Sequence, residues 1–254
     1  MLQLRNIQKS FNSNSNNEIN LFDNFNLEIE EGEFVVILGS NGSGKSTLLN
    51  LIDGQMMVDT GQIVFFDQNM TSLPSFKRRQ MMSRVFQDPA LGTSPSLTIL
   101  QNMSLALNKG KPFNLSHGVD VFLKEDIQKY VSILELGLED KLHVKVSHLS
   151  GGQRQALSLL MAVCSKPKLL LLDEHTAALD PKTSQHIMKL TQQLIENFSM
   201  TTIMITHQIK DALDYGHRCI MLHEGNIVLD VKGDEKKALQ PQDLLTQFHS
   251  LSLR

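Results

Sequence analysis

The sequence predicts an α/β fold in which a layer of antiparallel strands precedes a parallel core sheet interrupted by a helical insertion. Three observations predict it. Two apolar runs, EFVVIL (Glu33 to Leu38) and KLLLLDE (Lys168 to Glu174), have strand length, as strands covered on both faces require. The first run leads at once into a glycine-rich loop and then TLLNLI at helical spacing, the order in which an α/β sheet begins. Between the runs, from about Pro89 to Ser165, longer helical patterns take over, with Pro and Gly only at their breaks.

Each element follows in order. Leu2 to Ile7 and Ile19 to Ile29 alternate around an Asn/Ser-rich turn at Asn12 to Asn17 and read as an antiparallel layer. After the first core strand and its helix, Phe76 to Met82 is helix-like and basic, and Ser83 to Phe86 is a short strand. ILQNMSLAL, VDVFLKEDIQKYVSILELG and QRQALSLLMAVC carry apolar residues at i, i+3, i+4 and predict three helices. Lys168 to Glu174 restores a buried strand, a helix runs from Pro181 to Phe198, and Thr201 to His207 is another strand. CIMLHEGNIVLD predicts a hairpin turning at Glu224, Gly225 and Asn226, and from Asp234 the chain is polar and helical. The expected organisation is one domain over 1–254, with a core and β layer at 1–88 and 166–254 and a helical subdomain at 89–165.

Composition excludes several classes. With 254 residues and 41% hydrophobic content the chain is not disordered, and two cysteines, Cys164 and Cys219, do not make a disulfide scaffold. A net charge of -3 argues against a dedicated nucleic-acid binder. No run approaches the ~20 apolar residues of a membrane span, and the opening MLQLRNIQKSFNSN lacks the apolar centre of a signal peptide. The expectation is a soluble chain in a reducing compartment.

The chemistry concentrates in a few motifs. Gly39, Ser40, Asn41, Gly42, Ser43, Gly44, Lys45, Ser46 and Thr47 match the G-x-x-x-x-G-K-[ST] phosphate loop, with a strand before and a helix after. Glycines let backbone N–H groups close around phosphate oxygens, and the helix start adds positive potential. Lys45 brings charge to the β- and γ-phosphates, and the Ser46 hydroxyl can ligate Mg²⁺. LLLLDEH ends a buried strand with Asp173, suited to Mg²⁺, and Glu174, suited to polarise an attacking water; alone, such a pair also reads as helix-capping carboxylates. In LSGGQRQ, Ser150 is a good N-cap, and Gly151, Gly152 and Gln153 start a helix: either an ordinary capped helix or a second anion site. One nucleotide needs one cradle, so the second would cap ATP held by another copy in a head-to-tail homodimer. Lys77, Arg78, Arg79 and Arg84 read as a solvated basic face. Met56, Met57, Met81 and Met82 read as adaptable packing.

Phosphate loop, Gln87 in RVFQDP, LSGGQ, LLLLDE, AALD and His207 stand in the order and spacing of ABC-type ATPase subunits, which the sequence resembles over nearly its whole length. The resemblance implies a P-loop NTPase fold with a RecA-like sheet core and inserted helical subdomain. It implies ATP and Mg²⁺ as cofactors and an ATPase that drives a separate integral membrane permease from the cytoplasmic face. Phe11 resembles the aromatic that stacks on adenine, though it also suits a core position. Gln87 resembles the glutamine that senses Mg²⁺ and γ-phosphate, His207 the histidine contacting the γ-phosphate, and Asp180 the acid at the dimer seam, besides being a natural N-cap before Pro181. His175 stands where many members of the family have Pro, either tuning the site or filling a turn. The wording around Gln87 and Glu174 looks most like a bacterial importer group, some of them paired with binding proteins for aromatic amino acids. The alternative, a soluble ATPase of a non-transport assembly such as a metal-cluster scaffold, is disfavoured by the QRQ that follows LSGG. A DNA-repair ATPase would need a coiled-coil insertion or DNA-binding domains, and a translation-associated one two cassettes.

Overall fold

A computed structural model describes residues 1–12, 17–111 and 123–252. Most of the Asn/Ser-rich turn (13–16) and the start of the second helical pattern (119–122) lie outside the described residues. In chain order come β1 (Leu2–Phe11), β2 (Ile19–Ile29), β3 (Phe34–Leu38), α1 (Lys45–Asp53), β4 (Thr60–Phe65), β5 (Gln68–Asn69) and α2 (Ser75–Arg78). Next are β6 (Met82–Val85), α3 (Ile99–Leu107), α4 (Lys124–Ser132), α5 (Gly151–Cys164), β7 (Leu169–Asp173) and α6 (Pro181–Asn197). The chain ends with β8 (Thr202–Thr206), α7 (Ile209–Asp214), β9 (Arg218–His223), β10 (Asn226–Lys232), α8 (Gly233–Ala238) and α9 (Pro241–Ser252). These divide into two compact units, Met1–Arg79 with Met200–Arg254, and Gln80–Ser199.

The first unit holds an antiparallel sheet ordered β2-β1-β4-β5. Leu2, Leu4 and Ile7 of β1 are buried while Arg5 and Asn6 are exposed, the one-sided burial expected of such a layer. Sequence reasoning missed β4, because only Ile63 and Phe65 of TGQIVF are buried and the pattern is short. The parallel strands differ. β3 pairs parallel with β8 on one side and β9 on the other, which is why all five residues of FVVIL are buried. β9 turns back into antiparallel β10 through Glu224 (φ 44°) and Gly225 (φ 74°), the double positive φ of a tight hairpin.

The basic stretch corrects an expectation. α2 covers only Ser75–Arg78, and Arg78 is fully buried rather than solvated. Its guanidinium donates to the carbonyls of Leu51 (2.6 Å), Ile52 (3.1 Å), Thr71 (3.0 Å) and Leu73 (2.9 Å). Two of these are end-of-helix carbonyls of α1, which have no acceptor role left inside the helix. Four bonds make burial of the charge tolerable.

In the second unit β6 and β7 pair in parallel, Val85 opposite Leu172. Its helices α3, α5 and α6 start at side-chain caps: Thr98 and Gln101 form a reciprocal box at α3, and Asp180 with Pro181 starts α6. Among the described residues the second helical pattern gives α4, and Glu135 (φ 53°) and Gly137 (φ 65°) turn left-handed after it. No helix among the described residues is long and apolar enough to cross a membrane.

Candidate functional site

In the first unit the loop after β3 is shaped by two left-handed glycines, Gly42 (φ 83°) and Gly44 (φ 103°). Side chains are excluded at Gly39 as well, where a Cβ would strike the Leu222 carbonyl oxygen and the Ser43 hydroxyl. α1 starts from Gly44 with no side-chain cap, although the first-turn N–H groups of a helix lack intrahelical acceptors. Lys45 is buried, and its ammonium donates to the carbonyls of Gly39 and Ser40, each at 2.8 Å. Its positive charge therefore ends inside the loop instead of extending to the surface. The buried Ser43 hydroxyl has no hydrogen-bond partner among the described residues. Ser40, Asn41, Gly42 and Ser46 are exposed, and Thr47 is half-buried. An orphaned hydroxyl, an uncapped helix start and an enclosed ammonium converge as donors and positive charge, so they fit a polyphosphate.

The same unit brings His207 to that loop's edge. Leu38 lies opposite Thr206 in the parallel pair, so residues 39 and 207 leave neighbouring strands at the same end. The Thr206 hydroxyl donates to Asp211 (3.3 Å) and accepts from the Gln208 N–H (3.0 Å), fixing the turn that carries the exposed His207. Burial raises the Asp211 carboxyl above its ordinary range. Phe11 ends β1 half-buried, with the Lys9 ammonium 5.8 Å from its ring centre.

The second unit assembles the other candidates. Asp173 ends β7, and Glu174 follows with φ 44°, a left-handed conformation that costs a non-glycine residue energy. The register of Val85 with Leu172 puts Gln87, which is exposed, beyond the same strand end as Asp173 and Glu174. Arg84 corrects the solvated-face expectation a second time: its guanidinium donates to Asp173 Oδ2 at 2.5 Å and lies 5.0 Å from the Phe86 ring centre. Sequence reasoning missed this pair because 89 residues separate the partners. The Phe86 carbonyl in turn accepts from Gln155 of α5 at 3.2 Å.

Ser150 caps α5 through a reciprocal box. Its hydroxyl accepts from the Gln153 N–H (3.2 Å), and the Gln153 amide oxygen accepts from the Ser150 N–H (3.1 Å). Ser150 and Gly151 are exposed, while Gly152 is buried so closely against Thr183 that a Cβ there would strike its methyl group. Asp180 accepts from the Thr183 N–H at 3.1 Å, and hydrogen bonding with the Thr183 side chain, then with that N–H, holds its carboxyl below its ordinary range. His175 is buried, and burial pushes its pKa down to about 4. The Thr191 hydroxyl donates to the Ile187 carbonyl (2.7 Å), which leaves it to accept from His175 Nε2 at 3.0 Å. This neutral imidazole ties the turn after Glu174 to α6.

The sequence profile described as ABC transporter matches residues 22–177, more than half of the chain. The chain is 49% identical over 248 residues to the tyrosine transport ATP-binding protein of Clostridioides difficile, covering 98% of both chains. It is 37% identical to the spermidine/putrescine import ATP-binding protein PotA of Mannheimia succiniciproducens, over 91% of this chain and 57% of that relative's length. Among solved structures it resembles the ATP-binding cassette MJ0796, in a dimeric post-hydrolysis state bound to ADP and Pi. That match has a TM-score of 0.76 and 31% identity, covering 91% of this chain and 98% of the other. With that profile spanning the phosphate-type loop and more than half of the chain, and a relative 49% identical over 98% of both, the chain belongs to the ABC transporter family, as an ATP-binding cassette with ATPase activity.

Proposed function

We infer that this cassette powers import of a small solute through a separate integral membrane permease, as a peripheral protein on the cytoplasmic face. The observation that carries the nucleotide-powered part of the reading is the Lys45 ammonium enclosed by its own loop at an uncapped helix start, a cradle suited to an anion. Lys45 and the backbone of Gly39, Ser40, Asn41, Gly42, Ser43, Gly44, Ser46 and Thr47 bind the phosphates, and Phe11 stacks on adenine. Glu174 orients the attacking water and His207 meets the γ-phosphate. Ser46, Gln87 and Asp173 offer the hard oxygen donors that suit Mg²⁺, which when bound neutralises phosphate charge.

Ser150, Gly151, Gly152 and Gln153 cap the nucleotide of a second copy, so that two chains form a head-to-tail, ATP-dependent homodimer with Asp180 near the seam. The dimeric state of the MJ0796 cassette supports this arrangement. Residues 89–165 act as a helical subdomain that passes closure to the permease, with 1–88 and 166–254 as the core. An aromatic amino acid is the favoured cargo, supported by the tyrosine transport relative at 49% identity, and a substrate-binding protein would deliver it. Nucleic acid has no part in this cycle.

The test is Glu174→Gln. The variant is expected to bind ATP normally, lose hydrolysis and accumulate a stable dimer with ATP on a sizing column. A variant that bound ATP without hydrolysis and stayed monomeric would sink the sandwich.

A further inference from the structure

Arg84 is not a surface cation, and it stands three residues before Gln87 with no role assigned to it so far. It lies in β6 with its side chain almost fully buried at 6% exposure, and it donates a charge-assisted bond to Asp173 Oδ2 at 2.5 Å. Its guanidinium also lies 5.0 Å from the Phe86 ring centre, within the range of a cation–π contact. Phe86 is itself held, its carbonyl accepting from Gln155 at 3.2 Å on the helix that starts at Ser150. The parallel register of β6 and β7 makes the pairing local in space, since Arg84 stands opposite Leu171 and reaches along the strands to Asp173. The outcome is a fixed positive charge on the carboxylate expected to face the divalent ion.

Resting on the reading of Asp173 as a metal ligand, we propose that Arg84 is a positioning residue that serves as an internal counter-cation to Asp173 and sets the divalent-ion requirement of the site. A carboxylate that shares its charge with a guanidinium attracts a second cation less strongly. Asp173 is thereby kept neutralised and oriented when no ion is present, and binding of the ion must compete with an existing partner. Arg84 touches neither substrate nor the reacting atoms; it acts through Asp173.

The experiment titrates Mn²⁺, followed by electron paramagnetic resonance, into the full chain with saturating ATP. Arg84→Met keeps an unbranched apolar stem over Phe86 and removes the charge. It is expected to tighten Mn²⁺ by about fivefold, the size of coupling between groups in direct contact. Arg84→Lys restores a charge without the planar fork and should fall between the two. In an Asp173→Asn background, which alone should weaken Mn²⁺, Arg84→Met is expected to have no further effect.

An unchanged or weaker Mn²⁺ affinity in Arg84→Met, with Asp173→Asn still weakening it, would overturn the counter-cation role and leave the metal assignment intact. Unchanged affinity in Asp173→Asn would overturn the metal assignment and the proposal together. If Arg84→Met fails to fold by circular dichroism, Arg84→Lys decides: affinity equal to or weaker than the parent counts against the proposal.

Discussion

α1 and α5 both begin at glycines, yet the chain treats the two helix starts in opposite ways. At α1, Gly44 offers no side chain, its φ of 103° bars most residues, and the buried Lys45 ammonium adds a charge to the open N–H groups. At α5, Ser150 and Gln153 satisfy each other's backbone N–H groups, and the motif is complete without any ligand. Open donors and an enclosed cation favour an anion at all times. A self-capped helix start can stand alone and accept an anion only when one is brought to it. The difference suits a pair of sites of which one holds nucleotide in the single chain and the other engages only on dimer closure.

The largest test breaks the α1 side. Lys45→Ala should lower affinity for a fluorescent ATP analogue by about 100-fold or more, the scale of removing one partner of a buried charged contact. Unchanged binding would remove the distinction between the two helix starts. Acid could mimic that loss through unfolding, and His175 is the group expected to cause it. The unfolded His175 imidazole takes up a proton near its ordinary 6.5, whereas the folded one refuses it until about pH 4. Stability should therefore fall as pH drops through that window, by about 2 kcal/mol at pH 5 from this group alone. Urea unfolding at pH 7 and pH 5 would measure it, and His175→Gln should flatten the slope; an equal slope in the variant would place the acid sensitivity elsewhere. The smallest effect sharpens the α5 side. Ser150→Ala should cost about 1 kcal/mol in thermal unfolding and leave ATP binding by the single chain intact, while weakening ATP-driven dimerisation. Were it to reduce single-chain binding as Lys45→Ala does, the contrast would collapse.

What was legible in the sequence was what short segments determine. FVVIL and LLLL announce strands covered on both faces, Ser150 and Asp180 announce helix starts, and Glu224 with Gly225 announces a hairpin. The motif at residues 39–47 was equally plain because its glycines, lysine and hydroxyls are contiguous. Long-range pairings were not legible. Arg78 and Arg84 share a run of positive charge with Lys77 and Arg79, and local sequence cannot distinguish a solvated guanidinium from one that meets carbonyls at Leu51 or a carboxylate at Asp173. β4 escaped because half-buried alternation over six residues carries little signal. The positive φ of Glu174 was also invisible, since glutamate has no preference for that region.

The bond from the Gly225 N–H to the Ser43 carbonyl, 3.0 Å long, ties the β9–β10 hairpin to the phosphate loop. A Cβ at Gly225 would collide with the Leu21 carbonyl oxygen, so the hairpin tip is pressed against β2 as well. The loop is thus anchored at its midpoint and held by Lys45 at its end. Its loss of conformational entropy belongs to the folding of the protein and not to the capture of nucleotide. A cassette that cycles many times can therefore load and release without reordering this segment each time, and the order parameters of its backbone amides should be high even in nucleotide-free protein.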